Sequence, residues 1–513
     1  MKANFALCLM LAAIIPTVSF SQSKSPKRGI CWDEKSQPLS DAPVNKMLPG
    51  VSWIYTWGEA PMGEAAHLGP DKGMDFVPMA WGRNFDEAAL RSYLDTHKGV
   101  KYLLGFNEPN FAAQAAMTPT EAADRWPALE RIATEYGLKL VAPALNFTGE
   151  SVGGKVWGIY DWLDEFIGYY KVKRRHLPKI DCLALHCYMN WYGASTWFVN
   201  DYLYSDIFKN GNDTKYPNLV ELLNSVKSAT GQYPRMMLTE FCSWEGDKDG
   251  FVTNVDNQID QMTQRIQKME QSDLVESYAW FMANSNASEF PYMSVFETNH
   301  RDSELSPLGK VYVNMSAFDR NKYFKPGELI AAKDYIDATT DDRIVRVRPN
   351  SEVGSALPLL VSLSAAAPYS SAYSAATYQI EVPKSGTYTL TLHAMATGGK
   401  VAIEIAGAQG DTEMELAGHP GEWADHTVSL TLPAGKNTLK ISNLSDSPVS
   451  INSWRFESDS SIADITASSD GQYTVYNLFG TRLATCPSLS SLNLAAGIYL
   501  IVSPDGTSRK TII

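Results

Sequence analysis

The N-terminal part of the chain alternates short apolar runs with longer segments of helical periodicity. Eight such runs lie between residues 27 and 285, at 28–32, 51–57, 75–81, 101–106, 138–145, 180–188, 235–241 and 275–282. The clearest helical segments between them are 85–96, 118–136, 157–170, 218–230 and 254–271. Eight strand–helix repeats predict a (β/α)8 TIM barrel, whose active site lies at the carboxyl ends of the strands.

The pattern changes after residue 322. Helical periodicity disappears, and apolar and polar residues alternate at 387–392, 400–405, 426–432 and 438–441. Alternation with period two predicts half-buried strands, and several in succession predict an all-β sandwich. A polar stretch, 457–461, leads to a last small β-unit. We therefore expect a multidomain chain with these parts: a signal peptide over 1–21, a barrel over 22–322, a β-sandwich over 323–457 and a small β-sandwich-like domain over 458–513.

Charge and cysteine content narrow the class of protein. The chain has 513 residues and a net charge of −13, and it lacks the basic stripe that a nucleic-acid partner requires. Lys2, an apolar run and small residues before Gln22 form the pattern of a signal peptide. No later run is apolar enough to span a bilayer. Of the six cysteines, Cys8 lies in the signal peptide, and the odd remainder predicts neither a disulfide framework nor a zinc site.

Two of the apolar runs end on a glutamate. Glu108 follows the run 101–106 within the sequence Asn-Glu-Pro-Asn, and Glu240 lies at the end of the run 235–241. Because the carboxyl ends of barrel strands meet at one face, both carboxylates are expected there, and paired carboxylates are typical of glycoside hydrolysis. A single Glu in this position often only caps the next helix. Two in matching positions favour the catalytic interpretation.

These motifs resemble those of the retaining glycoside hydrolases of the large (β/α)8 clan. Within the clan, Gly-Phe-Asn-Glu-Pro-Asn at 105–110 and Leu-Thr-Glu-Phe at 238–241 resemble glycoside hydrolase family 128, the β-1,3-glucanases. The resemblance implies that Glu108 is the general acid/base, that Glu240 is the nucleophile and that Asn107 binds the sugar 2-hydroxyl. Asn107 is alternatively a turn former.

Other residues at the strand ends are candidate substrate ligands. Tyr188 is expected to hold Glu240 ionised through a hydrogen bond. His186 is expected to contact the substrate or the surroundings of Glu108, unless it is a structural residue. The resemblance implies that the reacting sugar stacks on Trp280. Three strand-end tryptophans, which either line a glucan-binding cleft or cap the core, and one asparagine complete the set: Trp32, Trp57, Trp81 and Asn146.

Two further resemblances concern the β-rich parts. Residues 386–390, 421–423, 432–437 and 449–456 resemble carbohydrate-binding modules of families 6 and 35, with the early acidic motif altered at 331–335. The alternative is a structural sandwich packed on the barrel. The last unit resembles the C-terminal sorting domain of type IX secretion, which implies the secretion machinery as a partner and a secreted or cell-surface location. The alternative is that the last unit is another small β-module. The segments that carry this resemblance are 473–480, 494–499 and 508–513.

The expected function is that of a secreted retaining endo-β-1,3-glucanase that acts as a monomer on β-glucan. No cofactor and no metal are expected, because no His-rich or Cys-rich ligand spacing and no Gly-rich phosphate loop is present. Two alternatives stay open. One is another β-glycan specificity on the same barrel, and the other is a non-catalytic glycan-binding surface protein.

Overall fold

The computed structural model describes the chain in these segments: 24–146, 150–188, 214–245, 252–285, 290–297, 304–340, 344–365, 373–395, 398–407, 410–458, 472–476, 482–486, 498–503 and 508–512. The predicted signal peptide, residues 1–21, lies outside these described residues, as do parts of the sorting-like segments.

A ring of eight parallel strands forms the first part of the fold. Its strands are β1 (Arg28–Cys31), β2 (Trp53–Tyr55), β3 (Asp75–Phe76), β4 (Tyr102–Leu104), β5 (Lys139–Val141), β8 (Cys182–Cys187), β9 (Arg235–Phe241) and β10 (Val275–Trp280). They follow the order β3-β2-β1-β10-β9-β8-β5-β4. The Leu104 N–H donates to Pro78 O at 2.9 Å, and the Ala80 N–H donates to Leu104 O at 3.0 Å. These bonds join the end of β3 to β4 and close the barrel, which confirms the eight predicted strands.

Helices surround the barrel strands. They are α1 (Asp41–Met47), α2 (Glu87–Thr96), α3 (Pro119–Tyr136), α4 (Ile159–Arg174), α5 (Pro217–Thr230), α6 (Val255–Gln271) and α7 (Pro307–Asn314), and a hairpin of β6 (Ser151–Val152) and β7 (Lys155–Val156) precedes α4. Both ends of α3 are capped. Thr118 and Glu121 form a capping box, and Gly137 ends the helix in a left-handed conformation. The five predicted helices are present, and α1, α7 and the hairpin were not predicted.

Alternate residues of each barrel strand face the barrel interior and the helix layer. On β1, Cys31 packs in the interior cluster, whereas Trp32, just past the strand, packs in the outer one. On β10, Ala279 packs in the interior and Trp280 in the outer layer. Both layers are buried. Which positions of a strand face the interior therefore decides which side chains reach the mouth of the barrel.

The second part of the fold is a sandwich of two antiparallel sheets. The first sheet contains β11 (Ile330–Ala331), β13 (Val345–Pro349), β14 (Leu359–Leu363), β16 (Gly386–Met395), β19 (Trp423–Leu432) and β21 (Val449–Ser458). The second contains β12 (Asp337–Ala338), β15 (Ala375–Val382), β17 (Lys400–Ile405), β18 (Thr412–Glu415) and β20 (Gly435–Asn443). The four predicted strands of this region are present. Glycan binding by the sandwich stays a prediction.

Charged and polar contacts join the sandwich to the barrel. Asp260 on α6 is 8% exposed and lies between two arginines of β13. Its carboxylate accepts hydrogen bonds from Arg346 at 3.2 Å and from Arg348 at 2.7 Å. Further along α6, the side-chain amide of Gln267 donates to Asp337 at 2.8 Å. The sandwich therefore packs on a helix of the barrel.

The last described part is a four-stranded antiparallel sheet. Its order is β23-β22-β24-β25, with β22 (Tyr473–Tyr476), β23 (Arg482–Cys486), β24 (Ile498–Val502) and β25 (Ser508–Ile512). In the described part of the chain, no helix combines the length and the apolar character that a bilayer crossing requires.

Candidate active site

Glu108 stands just past β4, in the loop formed by the Asn-Glu-Pro motif. The chain leaves the strand at Gly105, where a Cβ atom would lie 2.7 Å from Val141 O and 3.0 Å from the Trp126 ring. Only glycine allows this close approach. Glu108 has a left-handed φ of 43°, and its N–H donates to Ala144 O at 2.7 Å. Such a conformation is strained for a residue with a Cβ, and strain of this kind clusters at functional sites.

Glu240 lies near the end of β9, and three aromatic side chains contact its carboxylate. The indole N–H of Trp57 donates to Oε1 at 2.8 Å, and the Tyr55 hydroxyl lies 3.2 Å from the same atom. The Tyr188 hydroxyl donates to Oε2, as predicted from the sequence. Hydrogen bonds from neutral donors to both oxygens stabilise the ionised carboxylate.

His186 lies between the two carboxylates. Its Nδ1 is 2.7 Å from Oε1 of Glu108 and 3.2 Å from Oε2 of Glu240, and its Nε2 is 3.1 Å from the Thr239 hydroxyl. The Asn146 side-chain amide donates to Oε1 of Glu108 at 2.8 Å. One atom of His186 and one oxygen of each glutamate lie within 4.8 Å of one another. The fold thus brings both glutamates and the predicted His186 and Asn146 into one buried cluster.

The charges in this cluster shift one another's pKa. Burial acts to raise the pKa of Glu108, but the hydrogen bond and charge of His186 and the Asn146 hydrogen bond outweigh it and hold this pKa below its usual range. Burial raises the pKa of Glu240, against the opposing charge of His186. For His186, burial acts to lower the pKa, and the Glu240 charge and the Glu108 hydrogen bond raise it above its ordinary value. The two carboxylates thus favour the protonated form of His186, and His186 in turn favours the ionised form of Glu108.

Asn107 is buried next to Glu108 with one open polar atom. Its backbone N–H donates to Trp81 O at 2.8 Å, and its side-chain amide donates to the side-chain oxygen of Gln114 at 3.3 Å. Its Oδ1 has no hydrogen-bond partner among the described residues, although the residue is only 2% exposed. An unsatisfied buried acceptor costs about 1–3 kcal/mol. The position therefore suits a hydroxyl group of a ligand.

The structure corrects the role of two predicted tryptophans. Trp32 and Trp280 are fully buried, and their indole N–H groups donate to backbone carbonyls. A ring without exposed surface offers no face to a sugar, so their prediction as sugar ligands is wrong. Trp57 contacts Glu240 through its N–H rather than through its ring face. Trp81, at the end of the third barrel strand, is 37% exposed at the mouth.

Two aromatic residues of the site were missed from the sequence. Phe281, one residue past Trp280, packs edge-on against Trp57 at 6.0 Å and against Tyr188 at 5.4 Å. The Tyr55 hydroxyl lies 3.2 Å from Oε1 of Glu240, the candidate nucleophile. Tyr55 and Phe281 lie two residues from the interior positions Trp53 and Ala279, but the sequence does not show which positions are interior because both faces of a barrel strand are apolar.

The cluster of Glu108, His186 and Glu240 also has the composition of a metal site. In the structure, however, Nδ1 of His186 lies 2.7 Å from Oε1 of Glu108, and both oxygens of Glu240 accept hydrogen bonds from hydroxyl and indole donors. A cation needs lone pairs that point at it, whereas these point at donors. The arrangement suits proton transfer beside a fixed, ionised carboxylate.

A buried carboxylate pair at the carboxyl ends of barrel strands, with a histidine between its members, is the arrangement expected of a glycoside hydrolase site. The comparison with protein families agrees with this class. Residues 29–312 match the family described as glycosyl hydrolase catalytic core, which is more than half of the chain. The chain therefore belongs to this family, and the protein is a glycoside hydrolase.

Several solved structures are similar to this chain. A family 128 subgroup II endo-β-1,3-glucanase from Pseudomonas viridiflava is 32% identical, with 57% of this chain and 98% of that chain covered and a TM-score of 0.43. A subgroup II enzyme from Sorangium cellulosum is 28% identical, with 56% and 97% covered and a TM-score of 0.40. A subgroup I enzyme from Amycolatopsis mediterranei, in complex with laminaritriose, is 25% identical, with 56% and 99% covered and a TM-score of 0.37. The comparison with curated proteins finds no match.

Proposed function

We propose that this glycoside hydrolase is a retaining β-1,3-glucanase that cleaves β-1,3-glucan by double displacement. The observation that carries the mechanism is the carboxylate separation, since one oxygen of Glu108 and one of Glu240 lie within 4.8 Å of each other. Retaining enzymes hold their carboxyl groups about 5–5.5 Å apart, whereas inverting enzymes leave about 6.5–9.5 Å for a water molecule. The short separation favours direct attack by a carboxylate.

The hydrogen bonds assign the roles of the two glutamates. The pKa directions alone would make Glu240 the acid. The indole N–H of Trp57 can only donate, however, so Oε1 of Glu240 acts as an acceptor, and the donors on both of its oxygens favour the ionised form. Glu108 instead lies 2.7 Å from Nδ1 of His186, a partner with which its carboxyl group can exchange a proton. We therefore assign Glu240 as the nucleophile and Glu108 as the acid/base.

The reaction follows in two steps. Glu240 attacks the anomeric carbon while Glu108 gives its proton to the departing glycosidic oxygen, so that the bond from carbon to Glu240 forms as the glycosidic bond breaks. Glu108, now ionised, then removes a proton from a water molecule that displaces Glu240. The open Oδ1 of Asn107 accepts a sugar hydroxyl, and this contact lowers the barrier if it strengthens in the transition state.

The substrate class rests on sequence similarity. Residues 105–110 and 238–241 carry the motifs that resemble family 128, and the similar solved proteins from Pseudomonas viridiflava and Sorangium cellulosum bear the names of endo-β-1,3-glucanases. The exposed Trp81 at the mouth suits a sugar ring, because an indole face stacks on apolar C–H surfaces.

Substrate choice is tested with the purified protein and four polysaccharides. We expect reducing sugar to be released from laminarin and curdlan and not from xylan or mannan. Proton NMR of the first product should show the β-configuration, because two displacements at one carbon restore it. Hydrolysis of xylan or mannan instead would show another β-glycan specificity. A protein that cleaves none of the four would support the non-catalytic glycan-binding alternative.

We also propose that the protein is exported and that its last β-unit is a sorting signal for type IX secretion. The support is the apolar N-terminal run and the sorting-like segments at the chain end. No catalytic residue assigned above lies beyond residue 281.

Deletion of residues 462–513 is therefore expected to leave kcat/KM on laminarin within about twofold of the full chain, because the barrel and the sandwich stay intact. In the native host, the shortened protein should accumulate in the periplasm, as fractionation with an antibody would show. Arrival of the shortened protein at the cell surface would refute the sorting role. Loss of activity in the purified protein would make the unit part of the catalytic fold.

A further inference from the structure

Helix α6 lies between the barrel and the sandwich and buries an unusual number of polar side chains. Five of its nine buried residues are polar. The four apolar ones belong to the hydrophobic core, and they are Ile259, Met262, Ile266 and Met269. Hydrogen bonds depend on distance and angle, whereas apolar packing is non-directional. The exact position of α6 therefore depends on its polar contacts.

The sandwich contacts α6 along most of its length. In the first turn, the Asp256 carboxylate lies 3.2 Å from Nε of Arg348, and one turn later Asp260 accepts a hydrogen bond from the same guanidinium at 2.7 Å. At the end of the helix, the side-chain amide of Gln271 donates to the Asp337 carboxylate at 2.9 Å. These contacts cover about four helical turns. The sandwich therefore constrains the whole helix rather than one point of it.

Helix α6 in turn holds the chain just beyond Glu240. Gln258 is fully buried, and its side-chain amide donates to Ser243 O and to the Glu245 carboxylate, both at 2.9 Å. Its side-chain oxygen accepts the Ser243 N–H at 3.1 Å. Arg265, which is 5% exposed, donates to Cys242 O at 2.7 Å. Two side chains of one helix therefore hold the first two residues after β9.

Strand β9 is irregular immediately before Glu240. Leu238 pairs with Leu185 of β8, but Glu240 pairs with the very next residue of β8, His186. Thr239 is therefore an extra residue in β9, and the pairing with β10 shifts at the same place. Such a bulge interrupts the ladder locally and redirects the side chains next to it. Strand pairing alone therefore does not fix the Glu240 side chain, and the contacts from α6 supply a further constraint.

We propose that the sandwich positions the nucleophile: through Asp260 it fixes α6, and through Gln258 and Arg265 the helix holds Glu240 in place for attack on the anomeric carbon. This inference rests on the proposed function, in which Glu240 is the nucleophile. A misplacement of about 1 Å can lower a rate about a hundredfold. Asp260 and Gln258 are buried among protein groups, so their replacement should slow the attack without weakening substrate binding.

The test measures the attack by Glu240 alone. The full chain is incubated with 2,4-dinitrophenyl 2-deoxy-2-fluoro-β-laminaribioside, and mass spectrometry of the intact protein follows its labelling. The bond from Glu240 to the anomeric carbon forms as the bond to the phenolate oxygen breaks. Dinitrophenolate leaves without a proton, so the rate does not depend on the acid Glu108. The fluorine slows hydrolysis of the labelled enzyme, because it disfavours positive charge at the anomeric carbon.

Gln258→Leu is expected to lower the rate constant of labelling by about ten- to a hundredfold, and Asp260→Ala by about three- to tenfold. The probe concentration that gives half of the maximal rate should stay within about twofold in both variants, because no substrate contact is lost. The double variant should lose no more than Gln258→Leu alone, since both residues act through α6 and their effects are then not additive. Asp260→Asn, which keeps an acceptor oxygen for Arg348, should retain most of the rate.

The final labelled fraction separates positioning from stability. A variant that only unfolds more readily labels less protein, while its folded molecules react at the unmodified rate. That result would overturn the inference, as would unchanged rate constants or additive losses in the double variant. Arg348→Gln, at a partly exposed position, should lower the rate constant about two- to threefold. It provides the same test where a buried variant does not fold, and an unchanged rate constant would again overturn the inference.

The matched control is Ser316→Ala. Ser316 is 3% exposed, and its hydroxyl donates to Tyr335 O at 2.7 Å, a contact that joins the barrel to the chain entering the sandwich without involving α6. This variant should label at the unmodified rate. A loss as large as that of Asp260→Ala would show a general effect of the interface and overturn the inference. An unmodified protein that the probe does not label at Glu240 would overturn the proposed function instead.

Discussion

Glu240→Gln and Glu108→Gln are each expected to lower kcat on laminarin by at least about 10²–10⁴-fold, with the fold unchanged by circular dichroism. Glutamine keeps the shape of the side chain, so the contacts from Trp57 and Asn146 can persist. Its amide cannot attack the anomeric carbon and cannot deliver a proton. Either variant that keeps more than about a tenth of the rate contradicts the catalytic assignment.

The control for these variants is Glu150→Gln. The Glu150 carboxylate accepts the N–H of Ala112 at 3.1 Å in the loop that follows the Asn-Glu-Pro motif, outside the carboxylate pair. Glutamine retains an acceptor oxygen for this bond. Near-normal activity of this variant would show that the losses at Glu108 and Glu240 are chemical rather than structural.

Azide distinguishes the two roles. In Glu240→Ala, the small anion can occupy the vacated position and attack the anomeric carbon once, so the product should have inverted configuration. In Glu108→Ala, the nucleophile is still present, and attack by azide on the glycosyl-enzyme should give retained configuration. Inverted product from the Glu108 variant would mean that the roles are reversed.

His186→Asn is expected to lower kcat/KM by about ten- to a hundredfold and to move the alkaline limb of the pH profile to lower pH. In the unmodified protein, the carboxylates raise the pKa of His186, so the proton beside Glu108 persists to a higher pH than on an ordinary histidine. The rate should then fall as the pH rises through this raised pKa. Without His186, Glu108 must hold the proton alone, and a carboxyl group loses it earlier as the pH rises.

The sandwich supplies a matched control for this effect. His393 also lies between two carboxylates, at 2.7 Å from Asp425 and 2.8 Å from Glu352, and its pKa is raised by these bonds against the opposing effect of burial. His393→Asn should leave the pH profile of hydrolysis unchanged. An alkaline limb in His186→Asn that matches that of the unmodified protein would refute the role of His186 as the proton-holding residue.

The positions of the two glutamates followed from the sequence. The spacing of apolar runs and helices indicates a barrel, and a barrel brings the carboxyl ends of all strands to one face however far apart they lie in the chain. The same rule placed Tyr188 beside Glu240, and the structure shows this contact. Asn146, predicted only as a candidate substrate ligand at a strand end, donates to Glu108. These inferences need only the strand ends, which local patterns encode well.

Only the tertiary structure decided which aromatic rings line the cleft. Both faces of a barrel strand are buried, so apolar and polar residues do not alternate along it. The sequence therefore does not indicate which residues of the strand face the interior. That is why Trp280, which faces the helices, was chosen over Phe281, which faces the site. The segment after Glu240 is held by Gln258 of α6, whose side-chain amide donates to Ser243 O, and no local pattern encodes this contact. His186 reaches both glutamates because the stagger of the strands sets their relative heights at the mouth, and that stagger is a property of the closed barrel.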